Sequence, residues 1–217
     1  MTSLPGATAR QSAVRLLACV NAGANEAPSA EDGPDIVAVL RSQTRLQALD
    51  FWMRNPDYLA NELLNEYELH HDPALLLKAR EIFESREPDL RRVPMVRYLF
   101  GAFEPLDEGL ALLRTHDFVR IRRVGVPGAH IREHLYLVTK DGRTALDKLA
   151  AMGPELAWYR QRAVLVAQVA GGAGGKALKD RQYLQQEYAG TALKKVIAPI
   201  TDRVRLRMEG LLSGVHP

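Results

Sequence analysis

The sequence predicts a mostly α protein with one β-hairpin, and three observations predict it. Apolar residues recur at a helical period through most of the 217 residues. Asn55-Pro56, Asp72-Pro73 and Glu104-Pro105 place a proline where one helix stops and the next begins. Only between Val119 and Thr139 does the rhythm shorten to two residues, around a Gly125–Gly128 turn.

The elements follow in order. A helix is expected over Ala9–Ala22. Gly23 to Pro34 is rich in Gly, Pro, Asn, Asp and Ser and reads as a linker, so residues 1–34 are expected to be a partly disordered N-terminal segment. From Asp35, the residues Ile36, Val39, Leu40, Leu46, Leu49 and Trp52 approximate a 3.6-residue period and predict a helix up to Asn55. A second runs from Pro56 to about Leu69, making 35–72 a helical, acidic extension. Pro73 to Ser85 is a third helix, Val93 to Phe103 a fourth and Pro105 to His116 a fifth.

Val119, Ile121 and Arg123 then alternate with Arg120, Arg122 and Val124, the first strand of the hairpin. His134, Tyr136 and Val138 alternate with Leu135, Leu137 and Thr139, the second. Thr139 is placed to cap a helix reaching Ala151. Gly153-Pro154 separates it from a helix to about Val169. Gly171 to Gly175 is either a flexible link or a tight reversal. Lys176–Tyr188 and Thr191–Leu212 read as helices, with Pro199 kinking or dividing the second. Residues 154–217 thus form a set of C-terminal helices.

The run Tyr136-Leu-Val-Thr139-Lys-Asp-Gly142-Arg-Thr-Ala-Leu146 carries a resemblance. It resembles the wing and following helix of MarR-like and PadR-like winged helix-turn-helix regulators, where Tyr-x-Leu-Thr-x-x-Gly-x-x-x-Leu joins strand to helix. Val138 stands where Leu is usual. The resemblance covers about a third of the chain, residues 73–151, and implies a winged helix flanked by N- and C-terminal helices. It implies double-stranded DNA as a partner, transcription regulation as the role, and a homodimer formed by helices outside the module. The amphipathic stripe Leu193, Ile197, Ile200, Val204 and Leu211 could form such an interface or pack on the protein's own helices.

Winged helices also serve as protein-interaction modules, so the residues must decide. The helix at 105–116, which would enter the major groove, begins with Asp107 and Glu108, and these repel phosphate. Only Arg114, Thr115 and His116 on it could bond a base edge. The hairpin carries Arg120, Arg122, Arg123, His130 and Arg132, a compact basic patch that could touch phosphate or a narrow minor groove. Arg120 and Arg122 share one face of the pleat and Arg123 the other. Arg91, Arg92 and Arg97 could add to the patch. These residues point to a DNA-binding regulator that works mainly through its wing, or to an adaptor that binds a protein partner.

Charge supports this division weakly. The net charge is +3, but residues 35–72 hold 3 basic and 7 acidic side chains and 152–217 hold 10 and 5. Other candidates lead away from enzymatic chemistry. Cys19 is the sole cysteine, which excludes a disulfide within the chain and a thiolate zinc site, and reads as a small apolar group in a helix. His70 and His71 are adjacent and diverge on a helix, so no metal is expected. Asp57, Glu62, Glu66, Glu68 and Asp72 read as a solvated acidic face. Phe51-Trp52-Met53 and Trp158-Tyr159 read as core. Gly171 to Lys176 lacks the hydroxyl residue of a phosphate loop, since Ala177 follows the lysine. No cofactor is expected. The longest mostly apolar run, Ala163–Ala170, is about half a membrane span. With no apolar leader near Arg10 and Arg15, a cytoplasmic protein is expected.

Overall fold

A computed structural model describes residues 7–98, 101–103, 106–125 and 131–214. In chain order the elements begin with α1 (Ala9–Ala22), β1 (Ile36–Arg41), α2 (Gln43–Arg54), α3 (Pro56–His70), α4 (Pro73–Glu84) and the short α5 (Glu87–Leu90). Then come β2 (Val96–Tyr98), β3 (Gly101–Phe103), α6 (Asp107–Thr115), β4 (Val119–Gly125), β5 (Ile131–Thr139) and α7 (Lys140–Ala151). The last are α8 (Pro154–Ala170), α9 (Gly175–Tyr183), α10 (Gln186–Ala189) and α11 (Thr201–Leu212). The protein is mostly helical, with a three-stranded antiparallel sheet ordered β1-β5-β4 and a separate β2–β3 pair. The sheet therefore has three strands, one more than the hairpin the sequence predicts.

The residues fall into two compact units. One is made of Ala7–Asp50 and Glu104–Gln182, the other of Phe51–Phe103 and Tyr183–Pro217. These boundaries cut across the sequence divisions at 35–72, 73–151 and 154–217.

In the first unit β5 is the central strand, and Leu135 to Thr139 are all buried. Ile36, Val39, Leu135 and Leu137 form one apolar cluster. Ile36 to Arg41 are a strand here and not the start of a helix. A short run rich in Val and Ile fits both periods, and an antiparallel partner 94 or more residues away, Leu135–Thr139, decides between them. Ser42, at φ 85°, turns the chain sharply out of β1 into α2. Thr8 caps α1 by accepting from the Gln11 amide at 3.2 Å. Cys19 on α1 is buried, as a small apolar side chain would be.

Within the same unit, the Arg15 guanidinium meets the Asp50 carboxylate at 2.6 Å in the interior. Arg45 is buried and gathers three carbonyls: Gly23 O at 3.2 Å, Gly171 O at 3.0 Å and Ala173 O. The Gly171–Gly175 segment is thus a reversal between α8 and α9 that an arginine clamps from below.

In the second unit Phe51, Trp52 and Met53 are core, and Phe51 meets Tyr58 and Tyr188 edge-on at 5.0 and 5.1 Å. α3 and α4 lie within one residue of where the two prolines place them. Residues 93–98 and 101–103 do not form the expected helix; 99 and 100 lie outside the described residues. Pro94 withholds an amide, and the strand is recruited by a distant segment: Ile197 N donates to Met95 O at 2.9 Å and Arg97 N to Lys195 O at 2.8 Å. That same pairing keeps 191–200 out of a helix, so α11 starts only after Pro199.

The acidic face at 57–72 is only partly solvated. Glu68 and Asp72 are exposed, but Asp57 and Glu62 are buried. Asp57 Oδ2 accepts from Ile200 N at 2.7 Å and Thr201 Oγ1 at 3.2 Å, holding the entry to α11. Ile197, Ile200 and Val204 of the C-terminal stripe are buried inside this unit, while Leu193 is exposed. These three residues of the stripe pack within their own unit, and Leu211 is half-buried.

Candidate nucleic-acid interface

The β4–β5 pairing sorts the predicted arginines by face. Arg120 lies opposite Leu137 and Arg122 opposite Leu135, whereas Ile121 lies opposite Tyr136 and Arg123 opposite His134. Arg120 and Arg122 thus share one face, and Arg123 shares the other with His134 and Tyr136.

The first face is electrically closed. Arg120 donates to Asp35 Oδ2 at 2.6 Å and Oδ1 at 3.2 Å, and to Asp117 Oδ1 at 2.7 Å and Oδ2 at 2.5 Å. These bonds hold the Asp35 and Asp117 carboxyls below the usual carboxylate range and push the arginine up. Arg122 meets Asp32 at 2.6 Å. Asp32 is itself held low, first by the Ser29 amide, then by the Ser29 hydroxyl, with Arg122 adding to both. Two of the five hairpin cations predicted to face nucleic acid are therefore tied into the protein by carboxylates from the 3-10 turn Ala30–Asp32, from Asp35 and from Asp117.

The second face opens onto a cleft of about 730 Å³ between α6 and the hairpin. Its floor is apolar, from Leu106, Leu110 and Ile121, and its polar lining includes Gln43, Asp107, Arg114, Arg123 and His134. Arg114 and Arg123 are exposed and meet no carboxylate among the described residues. Burial, with Arg123 adding to it, lowers the His134 imidazole, which therefore stays neutral at neutral pH. Burial raises the Tyr136 phenol, with a further push from Asp107.

The rest of the predicted set is scattered. Thr115 Oγ1 donates back to Ala111 O at 2.9 Å. His116 stacks on Phe118 at 5.5 Å and lines a separate apolar groove against α1. His130 and the side chain of Arg132 lie outside the described residues. Arg92 and Arg97 belong to the other compact unit, where Arg92 donates to Ile197 O and Arg97 to Tyr188 O, each at 2.8 Å. Sequence reasoning passed over Gln43 and His134. The two-residue alternation, which places His134 on the Arg123 face once the strands are paired, was the available signal for the second.

No family model matches the chain, and comparison with curated proteins and with solved structures returns no match.

Among the described residues no group of three or more His, Cys, Asp or Glu is arranged to hold a metal ion. His70, the last residue of α3, is exposed and sits 3.4 Å from Glu66 one helical turn back. No helix among those residues is long and apolar enough to cross a membrane.

Proposed function

We propose that the first unit is a winged helix module of a transcription regulator that binds double-stranded DNA across the α6–hairpin cleft. The observation that carries this reading is the pair Arg114 and Arg123. They come from the helix and the hairpin, both are exposed and meet no carboxylate among the described residues, and both line one concave surface. The element order agrees: α1, β1, the first part of α2, α6, then β4 and β5, with β1 completing the sheet. On this reading the module extends beyond 73–151. It begins at α1, and residues 51–103 are an insertion between its second and third helices. Arg123 and Arg114 replace Arg120 and Arg122 as the main phosphate contacts.

Anisotropy of a labelled 30-base-pair duplex, titrated across a salt series, tests the reading. Each phosphate contact adds about 0.9 to the slope of log affinity against log salt. R114Q/R123Q is expected to lower that slope by about 2 and weaken binding at every salt concentration, while R120Q changes it little. Absence of binding by the wild type at low salt refutes the proposal. One observation favours a second reading, an adaptor that binds a protein partner. Asp107 and Glu108 are exposed at the start of α6, and Asp32, Asp35 and Asp117 neutralise the other hairpin face. Such a partner would be basic, and its capture would persist in R114Q/R123Q.

A further inference from the structure

His134 gives the cleft a chemistry that two arginines do not. It is half-buried, directly opposite Arg123 in the β4–β5 register, and its ring stacks on Tyr136 at 6.5 Å. The charged and titratable groups that share the cleft with it are Asp107 and Arg114 from α6, Arg122 and Arg123 from β4, and Tyr136 from β5. α2 contributes the neutral Gln43. Arg122 is already matched by Asp32, so among the described residues lining the cleft the guanidinium groups left without a carboxylate partner are Arg114 and Arg123, and the one carboxylate is Asp107.

In such surroundings an imidazole stays neutral for two reasons. Its protonated form is poorly solvated and it faces a like charge. An anion seated beside Arg123 removes the second reason and rewards the proton directly. A guanidinium offers paired donors that match a phosphate's oxygens, and a protonated imidazole adds a further donor.

We propose that the α6–hairpin cleft binds a phosphate group through Arg114, Arg123 and His134, and that His134 takes up a proton as the phosphate binds. The site rests on the same cleft as the nucleic-acid reading, but it requires only a phosphate. That phosphate comes from a nucleic-acid backbone or from a free phosphate ester. The sign follows from linkage. The complex binds more protons than the free protein, so affinity rises as pH falls through the midpoint of His134.

The test follows the His134 imidazole resonance of the full chain against pH, assigned by its loss in H134Q. The titration is run alone, with inorganic pyrophosphate, and with a 20-base-pair duplex. A ligand that uses the site raises the midpoint by about one unit, which corresponds to about tenfold tighter binding below both midpoints than above them. H134Q is expected to bind the duplex, whose phosphodiesters do not titrate in this range, with no pH dependence, and to bind pyrophosphate with only the dependence of the ligand's own ionisation. R123Q is expected to raise the midpoint of the free protein and to weaken binding. A shift with the duplex alone supports the site and names the backbone as the source. A shift with pyrophosphate, without duplex binding at low salt, supports the site and overturns the nucleic-acid function. A duplex that binds while the His134 midpoint stays unchanged in both titrations overturns the cleft site and leaves the nucleic-acid function standing.

Discussion

Gly142→Ala is the sharpest test of how the hairpin is joined to the helices. Gly142 lies in the first turn of α7, and a Cβ built there falls 2.2 Å from the carbonyl oxygen of Phe118 and 2.9 Å from its carbonyl carbon. Ordinary contact begins at 3.4 Å, so the Phe118 carbonyl must retreat by about 1 Å. It cannot do so freely. Phe118 N donates to Leu113 O at 2.8 Å, and Thr139 N donates to Phe118 O at 3.2 Å. Thr139 Oγ1 donates to Asp117 O at 2.7 Å while accepting from Gly142 N at 3.0 Å. The junction of α6, β4, β5 and α7 is therefore one bonded corner. Forcing a methyl into backbone costs about 3 kcal/mol, the upper end for overpacking. The better helix propensity of alanine returns about 1 kcal/mol. A net loss of about 2 kcal/mol is expected, read as a lower urea midpoint with an unchanged slope. Gly172→Ala is the control, because a Cβ there meets nothing within 4 Å and φ is not positive. It is expected to leave stability unchanged or raise it by about 0.5 kcal/mol. If Gly142→Ala proved as stable as the control, the tight corner would be wrong, and with it the physical account of the glycine in the Thr139-x-x-Gly142 pattern.

Two further perturbations probe the frame around the cleft. Arg45→Met keeps an apolar stem but strands the Gly23, Gly171 and Ala173 carbonyls. It is expected to cost about 3 kcal/mol and to speed proteolysis between 171 and 175, and unaltered cleavage would show that the clamp does not hold the reversal. Arg120→Gln releases Asp35 and Asp117, whose carboxyl midpoints should climb back toward about 3.9 in an NMR titration. In the wild type both folded midpoints lie below the unfolded one. Their stabilisation is therefore complete above about pH 3.9 and is lost as pH falls through the lowered values, an acid sensitivity that the variant should lack. Midpoints identical in the two proteins would mean that the arginine does not bind these carboxylates in solution.

Much of the helical frame was legible in the sequence, and the reasons are local. Prolines at 56, 73 and 154 fix helix starts because they need no amide partner there. Thr139 caps α7 through its own side chain, and alternation exposes β4 and β5. Phe51, Trp52, Met53 and Cys19 are buried, as apolar side chains in a helical pattern should be. The segments misread as helix, 36–41, 95–97 and 194–197, share one property. Each is a short run with a partner about 100 residues away, 135–139 for the first and each other for the remaining two, although β2 also pairs locally with β3. Local spacing cannot reveal a partner at that distance, and the partner is what selects strand over helix.

The candidate site follows the same division. Sequence alone determined that a strand bearing Arg120, Arg122 and Arg123 returns through His134 to Thr139, and that pleating parts Arg123 from its neighbours. It could not determine which of those charges remain available. Asp32 and Asp35 reach the hairpin because β1 joins the sheet beside β5, and they silence Arg122 and Arg120. Arg114 and Arg123 meet across one cleft because α6 packs against the opposite face. Residue types are written in the chain, but whether a charge is spent inside the protein or offered to a ligand depends on distances that only the packed structure sets.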